Sequence, residues 1–302
     1  MTVSEKMEAL SQFAALNPHG DVVFTGGEPF SKPSELFNLS MHARGLGLGT
    51  VTNSNGYGFS EELIRDTLRF GPDTLVFSID APTAGDHDFI RGLDGAFAHT
   101  MTTVRRLLDL RAPNSDVKIL FSCILSRQSL PAFDELVLLA RRIGVDGVTF
   151  QMLEKTFFNR SKTDKHFDQN RLRQDGETAR RLASVAAKYK DDPFVLLNEA
   201  DFASFSLLTS GKTPLPFSLC SAAKDNLTID MFGNLRFCSY MTEQLKLDPL
   251  GNIRNATIGE ILVAPATIAV KSRLLDCRLP CGALNCNRKK ELRVSASGDF
   301  LE

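Results

Sequence analysis

Five short apolar runs recur along the first two thirds of the sequence, each followed by a stretch whose apolar side chains return every three or four positions. This alternation constrains the fold more than any other feature. The runs are Val22–Phe24, LGTVT ending at Thr52, TLVFSI ending at Ile79, VKILFSCI ending at Ile124 and GVTFQM ending at Met152. They are nearly continuously apolar rather than alternating, as expected of parallel strands covered on both faces. Between them, Val3, Met7, Leu10 and Ala14 mark one face of a helix, as do Phe97, Met101, Val104 and Leu108. Phe133, Leu136, Ala140 and Ile143 mark a third, and Ala179, Leu182, Val185 and Tyr189 a fourth. Repeated βα units of this kind form either a sheet curled into part of a barrel or an open doubly wound sheet. Polar, glycine-bearing segments directly after the strand ends (GGEP at 26–29, Asn53–Gly56, Asp80 with Pro82) favour the barrel, whose chemistry gathers at its C-terminal rim.

The rhythm breaks at 191–216, where Pro193, Gly211, Pro214 and Pro216 fall. Beyond it lies a cysteine-bearing region in which LTIDMFGNLRF predicts a hairpin, Leu227–Asp230 and Leu235–Phe237 flanking a turn at Gly233–Asn234. The end of the chain from Leu292 reads as frayed. With 35 basic and 36 acidic side chains, the net charge of −1 offers no footprint for nucleic acid or an anionic membrane. No apolar run approaches the ~18–20 residues of a membrane span, and the first residues lack a signal-peptide core. A cytoplasmic protein is therefore expected, with its thiols reduced. Cys123 stands apart, whereas Cys220, Cys238, Cys277, Cys281 and Cys286 crowd the last third, which suggests a metal site more than a redox framework.

In DVVFTGGEPF, two glycines directly after a buried strand let the backbone take positive φ and approach a ligand, and Pro29 stiffens the exit. Glu28 is then held at the rim, where its carboxylate can accept from an ammonium group. The bland alternative is a strand-to-helix turn whose glutamate faces water. GGEP, followed by TVTNSNG and FSIDAPTAGDHDFIRGLDGAF, resembles the radical S-adenosylmethionine enzymes. The resemblance implies that Gly26, Gly27 and Glu28 hold the cofactor's methionine amino group, with Pro29 in the same cofactor-binding segment, that Asn53 lies on the rim, and that Ser78 and Asp80 bond the ribose hydroxyls. By itself, Asp80 on a turn is more often a cap or loop residue. Arg91 and Gln151 are weaker contacts on the same reading, and His87 reads as a loop residue.

Cys220-x12-Gly233-x4-Cys238, then DPLGNIRNATIGEIL, then Cys277-x3-Cys281-x4-Cys286 can supply four soft ligands to one metal or cluster. The block resembles the auxiliary-cluster extension called SPASM or, when shorter, twitch. The resemblance implies one auxiliary [4Fe-4S] cluster on Cys220, Cys238, Cys277 and Cys281, with Cys286 as a substitute ligand. Structural zinc competes for the same thiols on spacing alone. Cys123, inside a strand, reads as a small core residue.

Members of the family carry Cys-x3-Cys-x2-Cys after the first barrel strand, and this chain has no cysteine before Cys123. The expectation is that Met1 is internal and that the true chain starts upstream; as it stands, the polypeptide lacks the usual ligands of the catalytic [4Fe-4S] cluster. The resemblance thus implies an α/β fold: a partial (β/α) TIM-type barrel without its first strand over 1–195, a linker at 196–216, a SPASM/twitch-like iron–sulfur domain at 217–290 and a tail at 291–302. The complete enzyme is expected to generate a 5′-deoxyadenosyl radical from S-adenosylmethionine and abstract hydrogen, in peptide or protein modification or small-molecule oxidation. A flavodoxin or ferredoxin is the kind of electron donor implied. The alternatives are a degenerate homologue acting as a binding or scaffold protein, and a zinc-stapled α/β protein.

Overall fold

A computed structural model describes residues 1–153, 169–197, 199–209, 218, 220–238, 241–278, 293–294 and 300–301. The chain divides into two compact units, one made of Met1–Ile124, Ala132–Phe150 and Pro193–Leu196, the other of Leu125–Pro131, Gln151–Asp192 and Leu197–Glu302.

The first unit is built on a five-stranded sheet of β1 (Asp21–Phe24), β2 (Gly49–Ser54), β3 (Thr74–Ser78), β4 (Lys118–Leu125) and β5 (Gly147–Met152). Each run predicted as a strand is one. The spatial order is β1-β2-β3-β4-β5, and the pairings from β1 through β4 are parallel. A doubly wound sheet reverses its order at a switch point; this one never does, which is the sequence of neighbours in a barrel wall. The fold is α/β, a partial barrel.

Helices α1 (Val3–Leu16), α2 (Pro33–Gly45), α3 (Glu61–Phe70), α4 (Ala84–Arg91), α5 (Ala96–Leu110) and α6 (Phe133–Ile143) alternate with these strands. Their starts are written locally. Thr2 and Glu5 form a capping box on α1, Ser60 accepts from the Leu63 amide on α3, and Thr83 accepts from the Asp86 amide on α4. Leu75, Phe77, Ile119, Phe121, Phe133 and Phe150 are sealed in the core, each worth about 1.5–3 kcal/mol of transfer free energy. Phe133 of α6 stacks on Phe150 of β5 at 3.9 Å between centroids, fixing the last helix on the sheet.

The second unit contains α7 (Gly176–Tyr189), α8 (Glu199–Thr209) and a small sheet of β6 (Thr228–Ile229), β7 (Asn234–Arg236) and β8 (Gly251–Asn252). The predicted hairpin is present, with Ile229 opposite Leu235. Its turn is shifted: Asp230 to Gly233 make it, and Asn234 already belongs to β7. The reason is Asp230, whose carboxylate accepts from the Phe232 and Asn234 amides and so pins the turn one residue early. Four further helices, α9 (Ala222–Asp225), α10 (Met241–Gln244), α11 (Ile258–Val263) and α12 (Pro265–Leu275), belong to the same unit. Arg293–Val294 pairs antiparallel with Phe300–Leu301 where the sequence predicts a frayed end. Each two-residue segment is too short to be legible alone and gains its ladder from the other. Among the described residues, no helix is long and apolar enough to cross a membrane.

Candidate functional site

Register decides which side chains share a face of the sheet, because parallel Cα partners point the same way. Val22, Thr52, Leu75, Phe77, Phe121 and Cys123 lie on one face, most of them sealed. The opposite face is partly open: Val23 is exposed, and Val51, Asn53, Ser78, Leu120 and Ser122 are half-buried. Along that face Val51, Val76 and Leu120 in the middle of β2, β3 and β4 are followed two residues later by Asn53, Ser78 and Ser122. Ser78 and Ser122 are direct register partners, and Asn53 pairs with Val76 one strand over. The polar end is the C-terminal end of the strands, and the side chains of Asn53, Ser78 and Ser122 make no hydrogen bond to a described residue. Ser122 escapes sequence reasoning; its signal is a lone hydroxyl in an apolar run.

The GGEP segment follows β1. Gly26 and Gly27 take φ of 91° and 59°, left-handed values that favour glycine, and both stand exposed with nothing within 4 Å of where a Cβ would lie. Glu28 caps the short 3₁₀ turn Pro29–Ser31. Its Oε1 accepts from the Phe30 amide at 3.2 Å and the Ser54 hydroxyl at 2.9 Å, and its Oε2 from the Asn55 amide at 2.9 Å. The exits of the neighbouring strands β1 and β2 are thus tied by one carboxylate. Of its four acceptor positions, three are taken, leaving one on Oε2 for a further donor.

Asp80 is 3% exposed, and each of its polar groups is engaged. Oδ1 accepts from the Ile124 amide at 2.9 Å, Oδ2 pairs with Arg91 Nε at 2.7 Å, the carbonyl faces Cys123 Sγ at 3.8 Å, and the amide donates to His87 Nδ1 at 3.1 Å. Arg91, in the last turn of α4, therefore meets Asp80. His87 is not in a loop: it lies in α4, 1% exposed, its ring edge toward Phe97. The i, i+4 spacing of His87 and Arg91 is the signal that was there to find. Since a backbone amide only donates, Nδ1 accepts and the neutral ring carries its proton on Nε2. Burial, joined by the charge of Arg91, holds His87 below the usual imidazole range against the pull of Asp80 and Asp88.

In the second unit, Gln151 is half-buried near the end of β5. Among the described residues, Cys220, Cys238 and Cys277 are in no disulfide; Cys281 and Cys286 lie outside the described residues. Ala223, Phe237 and Leu274 form one apolar cluster, with Leu275 packed against it. These residues stand within three positions of Cys220, Cys238 and Cys277, so all three cysteines leave the same cluster. The Ala222 amide donates to Cys220 Sγ at 3.4 Å, an arrangement that favours thiolate. Among the described residues, no three Cys, His, Asp or Glu side chains form a metal-holding group. Gly233, the glycine of the motif, has φ of 87°, and a Cβ there meets Asn252 Oδ1 at 3.1 Å.

Asp230 beside it is expected to give the hairpin a pH dependence. Burial raises its pKa, but Asn234, Arg236 and the Asn234 and Phe232 amides outweigh this and lower it to about 2. Its stabilisation is complete above the ordinary value of 3.8 and is lost as pH falls through about 2. With its side chain 29% exposed, solvent screening leaves about 1–2 kcal/mol. Amide exchange of β6 and β7 should quicken from pH 4 to 2 in the parent, and Asp230→Asn should flatten that profile; an equally steep profile in the variant refutes the assignment.

No family model matches the chain. It is 30% identical over 123 residues to the AdoMet-dependent heme synthase of Oleidesulfovibrio alaskensis, covering 41% of this chain and 30% of the relative. The corresponding protein of Nitratidesulfovibrio vulgaris is 29% identical over 123 residues, 41% of this chain and 32% of its own. Less than a third of each of these relatives is thus spanned. Among solved structures, anSMEcpe with bound AdoMet superposes with a TM-score of 0.62 at 14% identity, covering 91% of this chain and 75% of that one. Streptococcus suis SuiB gives 0.64 at 12%, covering 90% and 62%. At these identities the structural likeness speaks for the fold alone.

Proposed function

We propose that this chain is a radical S-adenosylmethionine family protein, that the open face of its sheet binds S-adenosylmethionine and that its second unit holds one iron–sulfur cluster of the SPASM/twitch kind. The observation that carries the cofactor binding is the uncommitted polar row of Asn53, Ser78 and Ser122 on the face whose rim bears the exposed backbone of Gly26 and Gly27. These groups suit the cofactor. Exposed glycine carbonyls accept from an ammonium, the free acceptor position of Glu28 adds negative charge, and the amide and hydroxyls offer bonds to ribose. The apolar half of the face, Val23, Val51 and Leu120, offers dispersion contact to the adenosyl portion.

Held there, S-adenosylmethionine would, on taking one electron from an iron–sulfur cluster, break its C5′–S bond and release methionine, supplying a 5′-deoxyadenosyl radical able to remove hydrogen from a substrate. This chain's own part is to bind and orient the cofactor. Cys123, the first cysteine of the sequence, is sealed in β4 and takes no part. The whole protein is proposed to act on a peptide, protein or small molecule. Cys220, Cys238 and Cys277, each within three residues of a member of one apolar cluster, are proposed with Cys281 as ligands of the second unit's cluster, Cys286 being the substitute.

Calorimetric titration with S-adenosylmethionine tests the cofactor binding. The side chains of Asn53 and Ser78 bond to no described residue, so Asn53→Ala/Ser78→Ala should keep the parent's melting temperature while affinity falls roughly tenfold, two hydrogen bonds at about 0.5–1.5 kcal/mol each. Unchanged affinity removes them from the site.

A further inference from the structure

We propose that His87 and Arg91 are positioning residues which act through Asp80 to hold the exit of β3 in the form that takes the ligand. This rests on the binding role given above to Ser78. Asp80 is two residues beyond Ser78 and one beyond Ile79, whose amide continues the ladder to the Ser122 carbonyl at 2.9 Å. Any shift of Asp80 is therefore passed directly to the Ser78 and Ser122 pair.

Asp80 is fixed from three sides. The Ile124 amide ties it to the end of β4, and two side chains of α4, one turn apart on the same helix face, take its amide and its second carboxylate oxygen. Helix α4 is itself anchored at its start by Thr83, whose hydroxyl accepts from the Asp86 amide and donates to the Asp86 carboxylate at 2.6 Å. His87 is buried against Phe97 of α5, so the helix cannot turn about its axis without exposing it. The opposite face of α4 carries Phe89, which is exposed and takes no part in the latch. An arrangement that engages the amide, carbonyl and both carboxylate oxygens of one buried residue fixes position rather than offering the carboxylate to a ligand. Binding sites lose affinity steeply when a contact group moves by a fraction of an ångström, and such supporting bonds prevent that.

His87 differs here from a core histidine in what its replacement should do. Asparagine at the position places an acceptor oxygen near the site of Nδ1, whereas leucine fills similar volume with none. The 302-residue chain is titrated with S-adenosylmethionine, and amide exchange is read at Asp80 and Ile124. Expected are a roughly tenfold loss of affinity and faster exchange at Asp80 in His87→Leu, and recovery of both in His87→Asn. Arg91→Gln, at the helix end and partly in solvent, carries the test if His87→Leu does not fold, with the affinity loss expected again. Ser78→Ala is expected to weaken binding while leaving exchange at Asp80 as in the parent. A parent that does not bind S-adenosylmethionine overturns the functional reading. A parent that binds, with affinity unchanged in folded His87→Leu or, failing that variant, in Arg91→Gln, overturns the positioning role alone.

Discussion

Asp80→Ala is expected to lower the stability of the first unit by about 3 kcal/mol, the largest loss from any single polar substitution in it. Two costs add. The Ile124 amide, half-buried at the end of β4, loses its acceptor, which costs about 1–3 kcal/mol. The guanidinium of Arg91 loses its partner, and removing one member of a buried pair costs about 3–5 kcal/mol. Arg91 is 31% exposed on its side chain, so water relieves much of the second cost and the total stays near the lower figure. Thermal unfolding followed by circular dichroism should shift down by roughly 6–12 °C. Asp80→Asn keeps an acceptor for Ile124 and loses only the charge, so it should fall between the parent and alanine. A melting temperature for Asp80→Ala within about 2 °C of the parent contradicts the assigned network.

That network marks the limit of what the sequence tells. The strands were legible because covered parallel strands need unbroken apolar runs, and the helices because their buried faces repeat every turn. The choice of a barrel wall over a doubly wound sheet was only half legible: GGEP and Asn53–Gly56 pointed to a rim, but strand order is a long-range property that no local pattern encodes. Glu28 shows the same boundary. Its place after β1 was readable, its partners Ser54 and Asn55 were not, since they come from the end of another strand. His87 was misplaced because GDHDF is polar enough to look like a loop, although Thr83 three residues before Asp86 is the sequence mark of a helix start. At the hairpin, Asp230 outweighs the usual preference for a turn at Gly233–Asn234 by holding two amides of the turn itself. The apolar cluster of Ala223, Phe237 and Leu274, which brings together residues far apart in the sequence, is a product of packing that no local pattern encodes.

Cys220→Ala and Cys238→Ala are each expected to weaken cluster binding by the second unit strongly. Under anaerobic reconstitution with iron and sulfide, the parent should retain about four iron atoms per chain and each variant well under half of that, because each loses one of the proposed thiolate ligands. Cys220 is the more telling site. Its sulfur already accepts the Ala222 amide, a bond that stabilises thiolate, while its side chain is only half-buried and reachable from solvent. Cys238 is 6% exposed beside Phe237, so its replacement also removes a packed sulfur and should cost an extra fraction of a kcal/mol in stability; Cys238→Ser separates the ligand role from the packing role. Cys123→Ala, in the other unit, should leave the iron content at the parent's level. Zinc in place of iron is distinguished by elemental analysis and by the absence of the visible charge-transfer absorption of an iron–sulfur cluster. Equal iron in parent and both variants would remove these thiols from the site, and zinc at about one per chain, lost with either cysteine, would replace the cluster by a tetrahedral structural metal.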